Sequence, residues 1–178
     1  MKGLLAVLAV VVLCLAGAAA IAESLPPAPK QPIDFSHRIH VAQSGIGCIF
    51  CHAYVEHGPV AGIPSMQRCA GCHKFVKQDP EHPEITAQLK PLLQILKDGG
   101  RIDWVRVHRL PDHVFFTHQR HVLAGVDCRE CHGDVAGMDA DRQVAPLTMG
   151  WCLACHKRKQ AEQPVARARL TDCATCHK

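Results

Sequence analysis

The stretch Cys128-Arg129-Glu130-Cys131-His132 places a histidine directly after the second of two cysteines that stand three positions apart. The same spacing recurs four times among 178 residues, at 48–52, 69–73, 152–156 and 173–177. The motif cysteines are Cys48, Cys51, Cys69, Cys72, Cys128, Cys131, Cys152, Cys155, Cys173 and Cys176. A spacing that occurs five times indicates that each motif binds the same kind of group, and that the shape of this group fixes the distances between the three residues.

This spacing suits a porphyrin, because two thiols can add to its two vinyl groups while the following imidazole reaches the iron. Zinc ribbons and disulfide scaffolds also pair cysteines, but neither requires a histidine after every second cysteine. We therefore predict five covalently attached haem c groups. A sixth haem stays open as an alternative and would need an unusual attachment. The predicted proximal iron ligands are His52, His73, His132, His156 and His177.

Residues 1–23 predict an N-terminal signal-anchor transmembrane helix. The chain carries no charge from Gly3 to Ala22, and twenty helical residues span about 30 Å. Cleavage after Ala22, as in a signal peptide, is the alternative. A retained anchor predicts the cell inner membrane, with the haem domain on the periplasmic side. Residues 24–32, with four prolines, predict an extended spacer.

The composition predicts short helices and irregular loops packed on haems. Beyond the anchor, about 31 residues remain for each of five haems, too few to build an ordinary core around each one. Twelve prolines and 13 glycines suit a shell of turns. The formal net charge of +4 contains no basic block, so we expect no nucleic-acid partner.

The chain also contains two related halves. Residues 35–41 and 116–122 both read Phe-x-His-x-x-His-Val, each shortly before a Cys-x-x-Cys-His motif. This repeat predicts a two-haem module at 33–78 and a three-haem module at 114–178. The segment 79–113 connects them, and its apolar pattern over 84–97 predicts a helix that Pro91 kinks or divides.

Each motif histidine fills one of the two axial positions of a haem iron, so five more ligands would fill the second position of every iron. Eight histidines lie outside the five motifs. We expect bis-histidine, low-spin sites that hold no catalytic residue. Met66 and Met149 are alternative axial ligands, although packing against a porphyrin edge suits them better. The predicted distal ligands are His37, His40, His108, His118 and His121.

The second half, with Phe-x-His-x-x-His before three haem motifs, resembles the three-haem class III cytochromes. The longer runs 47–52, 104–112 and 145–152 resemble the multihaem cytochrome c subunit of alternative complex III and of the related menaquinone reductase complex. The resemblance implies a class III-like fold and quinone-binding membrane subunits as partners. It also implies an iron–sulfur/molybdopterin-like subunit and a soluble periplasmic cytochrome c. His113 departs from the family pattern, where an aromatic residue is expected.

Three functional classes follow from these patterns. The first is a non-catalytic electron-transfer subunit of a membrane quinone oxidoreductase complex. The second is a free-standing tethered multihaem carrier that serves several periplasmic partners. The third is a multihaem reductase, which needs an open iron and is the least favoured, because every motif ends in histidine.

Overall fold

The structure is a computed structural model that describes Val7, Val10, Val11 and residues 26–162 and 170–177. In those parts of the chain, no helix has both the length and the apolar character needed to cross a bilayer. The predicted anchor over 1–23 lies almost entirely outside the described residues. Its assignment therefore stays a prediction.

Short helices joined by loops make up the described chain. Seven segments are α-helical, and a π-helix and one 3₁₀ turn accompany them. The α-helices are Cys48–Cys51, Met66–His73, Pro83–Lys97, His118–Leu123, Arg129–His132, Met149–Glu162 and Cys173–Cys176. The π-helix is Arg38–Gln43 and the 3₁₀ turn is Val135–Gly137. The only extended pairing among these residues is one antiparallel bridge between Val114 and His177.

The connecting segment holds Pro83–Lys97, which at 15 residues is the longest helix in the described part of the chain. Proline suits its first position, where the missing N–H has no helical acceptor. The expected division at Pro91 is not found, since the assigned helix continues through that residue. Leu92, directly after the proline, is buried. Packing of this apolar face stabilises the helix against the loss of one backbone hydrogen bond.

The polypeptide alone buries little apolar surface. Among the described residues only four hydrophobic side chains are buried, namely Ile33, Val55, Leu92 and Ala145. Larger apolar side chains lie outward, with Phe75 78% and Met149 62% exposed. A chain of this length normally forms a far larger core. The distribution fits the prediction that flat apolar cofactors form the interior.

Contacts between the two predicted modules hold the chain together. The N–H groups of His118 and Gln119 donate to the carbonyls of Pro59 and Gly58 at 3.2 and 3.1 Å. On another side, the Arg38 N–H donates to the Met138 carbonyl at 3.0 Å. The two halves therefore meet at two places, and the module boundaries themselves stay a prediction.

Candidate haem centres

Every Cys-x-x-Cys-His motif lies on, or at the start of, a turn of helix. Residues three apart lie on the same side of a helix, so both thiols of one motif can face one porphyrin edge. An aspartate orders the start of two of these turns. The Asp127 carboxylate accepts from the Arg129 N–H at 2.8 Å, and the Asp172 carboxylate accepts from the Ala174 N–H at 3.0 Å.

The two Phe-x-His-x-x-His segments have the same ring geometry, as expected of a repeat. The Phe35 ring lies edge-on to His37 at 5.0 Å and nearly parallel to His40 at 4.4 Å. Phe116 repeats this with its own two histidines at 4.9 and 4.5 Å. Aromatic rings at these separations attract one another. Each phenylalanine therefore fixes the orientation of both imidazoles that follow it.

Three imidazole pairs have the separation that a shared iron requires. A ligating imidazole nitrogen lies about 2 Å from its metal and the ring centre about 1 Å farther, so two rings across one iron are roughly 6 Å apart. Each pair joins one predicted distal and one predicted proximal ligand. The pairs are His40 with His73 at 6.0 Å, His118 with His132 at 6.3 Å, and His121 with His156 at 6.1 Å.

Hydrogen bonds at Nδ1 turn the other ring nitrogen, Nε2, toward the place of an iron. A ligating histidine normally donates its second ring N–H to a carbonyl or carboxylate. Seven of the predicted ligands contact a backbone carbonyl in this way, at 2.7 to 3.3 Å. They are His40, His52, His73, His118, His121, His156 and His177.

Burial keeps several of these imidazoles neutral, which is the ligating form. Burial is the main cause that lowers the pKa of His132 to about 4, and the ring of His108 contributes next. Burial also lowers the pKa of His37, where the Asp141 carboxylate acts in the opposite direction and the nearby His52 ring adds to the lowering. His52, the predicted proximal ligand of the first motif, is therefore near enough to His37 to act on it electrostatically.

His108, the fifth predicted distal ligand, lies next to a pair that is already complete. Its ring centre is 4.5 Å from that of His132 in a T-shaped arrangement, too close for an iron between them. His118 already faces His132 at the across-iron distance. The assignment of His108 as a ligand stays a prediction from the sequence.

His113 lies against His177 but behind it. Their ring centres are 5.4 Å apart, and the His113 carbonyl contacts Nδ1 of His177 at 3.3 Å. The backbone of His113 is therefore on the side of the His177 ring away from Nε2. The His113 carbonyl supports the predicted proximal imidazole, and the His113 ring lies nearly parallel to it.

The motif thiols lie close enough to one another to interact electrostatically, and these interactions link the motifs. Burial raises the pKa of Cys128, and the neighbouring Cys48 thiol raises it further. Cys131, Cys51 and Cys152 are likewise raised by burial first. Their contributing thiols in other motifs are Cys155 for Cys131, Cys72 for Cys51, and Cys176 for Cys152.

Some residues that orient the centres were not predicted as such. Phe35 and Phe116 stood in the repeated segments, so their repetition was the available signal. The carbonyls of Gly62 and Pro59, which contact Nδ1 of His52 and His118 at 2.7 and 2.8 Å, carry no side-chain signal. Sequence spacing does not reveal such backbone partners.

The side chains fit the predicted cofactor. Paired thiols on helical turns, imidazole pairs about 6 Å apart and Nδ1 groups held by carbonyls are the donor set of a bis-histidine haem c. Residues 114–178 match the family described as cytochrome c7 and related cytochrome c. Fold and donor set together define a class III-like multihaem c-type cytochrome built of short helices, which carries covalently bound haem c.

A relative covers most of the chain. The menaquinone reductase multihaem cytochrome c subunit of Nitratidesulfovibrio vulgaris is 36% identical over 180 residues, spanning 89% of this chain and 82% of the relative. The chain belongs to this family of menaquinone reductase multihaem cytochrome c subunits.

Proposed function

We propose that the chain is a membrane-anchored, periplasmic pentahaem subunit that transfers electrons between a menaquinone-linked membrane complex and a soluble periplasmic cytochrome c. Its partners in the complex are quinone-binding membrane subunits and an iron–sulfur/molybdopterin-like subunit. Membership of the menaquinone reductase family supports this assignment. The observation that carries the electron-transfer role is the set of imidazole pairs at across-iron distance.

Imidazole pairs suit electron transfer because they leave no open position for a substrate. When bound, each haem supplies a one-electron Fe(III)/Fe(II) couple. The residues hold the iron on both faces and keep its surroundings rigid. The proposed pairs for four haems are His37 with His52, His40 with His73, His118 with His132, and His121 with His156. His177 supplies the proximal ligand of the fifth.

The thiol neighbours arrange the five motifs in one unbranched series. Cys51 of the first motif lies near Cys72 of the second, while Cys48 lies near Cys128 of the third. The third motif reaches the fourth through Cys131, and the fourth reaches the fifth through Cys152. The spatial order is therefore second, first, third, fourth, fifth. The first and third motifs each use their two cysteines toward two different neighbours, whereas both cysteines of the fourth motif act on Cys131.

Deleting an interior attachment site tests this order. In the intact membrane complex, Cys128→Ser with Cys131→Ser removes the middle site and separates two haems from two others. We expect reduction by a menaquinol analogue to become biphasic, with the distant haems at least about tenfold slower. Cys173→Ser with Cys176→Ser removes a terminal site, and the remaining haems keep one phase. A single phase in both variants contradicts the order.

Gentle solubilisation tests membership of a complex. The proposal requires the chain to migrate with several other subunits and with all five haems, measured by mass. Migration alone, at the 19.4 kDa of the chain plus its haems, would support the free-standing tethered carrier.

A further inference from the structure

Three buried polar side-chain atoms lack a hydrogen-bond partner in the described part of the chain: His37 Nδ1, His108 Nε2 and Asp141 Oδ1. The Asp141 carboxylate is close enough to both rings to affect the pKa of each, and the Asp139 carboxylate, two residues earlier, contacts both chain neighbours of His37. Two of the atoms belong to imidazoles that can donate, and the third is a carboxylate oxygen that accepts. The three atoms therefore complement one another.

The loop that carries Asp141 is fastened to the turn that carries His37. The Ser36 hydroxyl donates to the Asp139 carboxylate at 2.6 Å, and an Arg38 guanidinium nitrogen lies 2.9 Å from the same carboxylate. The Arg38 N–H also bonds to the Met138 carbonyl. These contacts involve both neighbours of His37 in the chain. These contacts hold the loop that carries Asp141 against the turn that carries His37.

His37, His108 and Asp141 lie where the two modules meet. His37 belongs to the first module, whereas Asp141 follows the third haem motif. The ring centre of His108 lies 4.5 Å from that of His132, the histidine of the third motif. Asp141 Oδ1 is buried and has no hydrogen-bond partner, so a donor within reach has a strong tendency to bond to it. Small rotations of these side chains, or one bridging water, complete the contacts.

We propose that Asp141 is a positioning residue which accepts the Nδ1–H of His37 and the Nε2–H of His108, and lowers the reduction potential of the haem held by His37 and His52. This inference rests on the ligand pairs in the proposed function. It gives His108 a supporting role in place of an axial one.

His37 differs from the other imidazoles in the charge of its partner. The seven other contacts described above are made to neutral carbonyls. A carboxylate accepts the N–H more strongly and makes the imidazole a better donor to the iron. The oxidised iron, with one more positive charge, benefits more than the reduced iron. The carboxylate therefore stabilises the Fe(III) state of the haem held by His37 and His52.

Replacing the charge without changing the shape tests the proposal. In the fully matured chain, Asp141→Asn is expected to favour reduction of one haem about tenfold, an upward shift of about 59 mV for a one-electron couple. The other haems keep their potentials in a spectroelectrochemical titration. Asp141→Glu keeps the carboxylate and is expected to restore most of the shift. Asp103→Asn removes an exposed carboxylate that pairs with Arg101 and is expected to leave the potentials unchanged.

Two further variants separate this inference from the ligand assignment. His37→Ala should convert one iron to high spin, detected by electron paramagnetic resonance. If it does not, the ligand pairs of the proposed function fail. If it does, but Asp141→Asn leaves every potential unchanged, the role of Asp141 alone is overturned. His108→Ala should add no high-spin signal to that of the parent protein, and a new high-spin signal would show that His108 is itself an axial ligand.

Discussion

The two-haem and three-haem modules share one design up to the last motif of the chain. In each, a phenylalanine orders two histidines, and the second histidine faces the proximal ligand of a later motif at about 6 Å, His73 in one module and His156 in the other. The extra motif at 173–177 is different. Its histidine contacts the backbone of the connecting segment, through His113. Duplication would thus account for four of the five predicted haem sites, and the fifth predicted site follows as the last motif in the sequence.

Removing an equivalent ligand from each module gives the largest expected effect. His40→Ala and His121→Ala each delete one partner of an across-iron pair, so each should convert one iron to high spin while both thioethers keep the haem attached. Electron paramagnetic resonance measures the change. His82→Ala is the matched control, because His82 pairs with Glu84 at the surface. A different outcome in the two modules would break the equivalence.

Truncating the ordering phenylalanine should give a smaller and equal effect in both modules. Phe35→Ala and Phe116→Ala remove matching ring contacts, and each is expected to lower the free energy of unfolding by about 1–3 kcal/mol. Chemical denaturation measures the loss, and the irons should stay low-spin. If only one of the two variants is destabilised, the two phenylalanines do not contribute equally to stability, although their sequence segments repeat.

Gly62, in the first module, occupies a position that only glycine fits without strain. Gly62 has φ of 77°, and a Cβ there would lie 2.7 Å from the Tyr54 ring. Gly62→Ala should therefore lower the free energy of unfolding by about 1–2 kcal/mol, through left-handed backbone strain. Gly58→Ala is the control, because a Cβ at Gly58 meets no atom within 4 Å. Equal stability of the two variants in urea would contradict the expectation.

The exposed contact between modules should have the smallest effect, and one that depends on pH. The hydrogen bond from Ser36, followed by that from Arg38, holds the pKa of Asp139 below its ordinary value. A lowered folded-state pKa gives stability that is complete above the unfolded pKa and is lost as pH falls through the folded one. Asp139→Asn should thus be slightly less stable near neutral pH and match the parent in strong acid. A difference that grows on acidification would refute this sign.

Much of the candidate site was predictable from local spacing. The proximal histidines and motif cysteines occupy helical turns as a two-point attachment requires, and the predicted repeat has matching ring geometry at Phe35 and Phe116. The ligand roles themselves stay predictions. The helix over 83–97 was expected, but its continuity through Pro91 was not, because packing of Leu92 does not register in local propensity.

His108 shows where spacing stops being informative. Its position in the chain made it a candidate ligand, yet its ring lies beside His132 and near Asp141. Several residue types at similar distances along the chain can reach one iron, and only the folded backbone selects among them. The same applies to Asp141, whose isolated position in a loop gave no signal.

The sequence by itself determined the cofactor type and predicts the attachment residues, because covalent haem chemistry acts between groups three and four positions apart, within one turn of helix. Only the tertiary structure decided which imidazoles face each other and in what order the motifs follow in space. Those relations depend on contacts between residues far apart in the chain, such as His118 with Pro59, 59 positions away, and Ser36 with Asp139, 103 positions away. No local pattern encodes them, since packing between distant segments sets them.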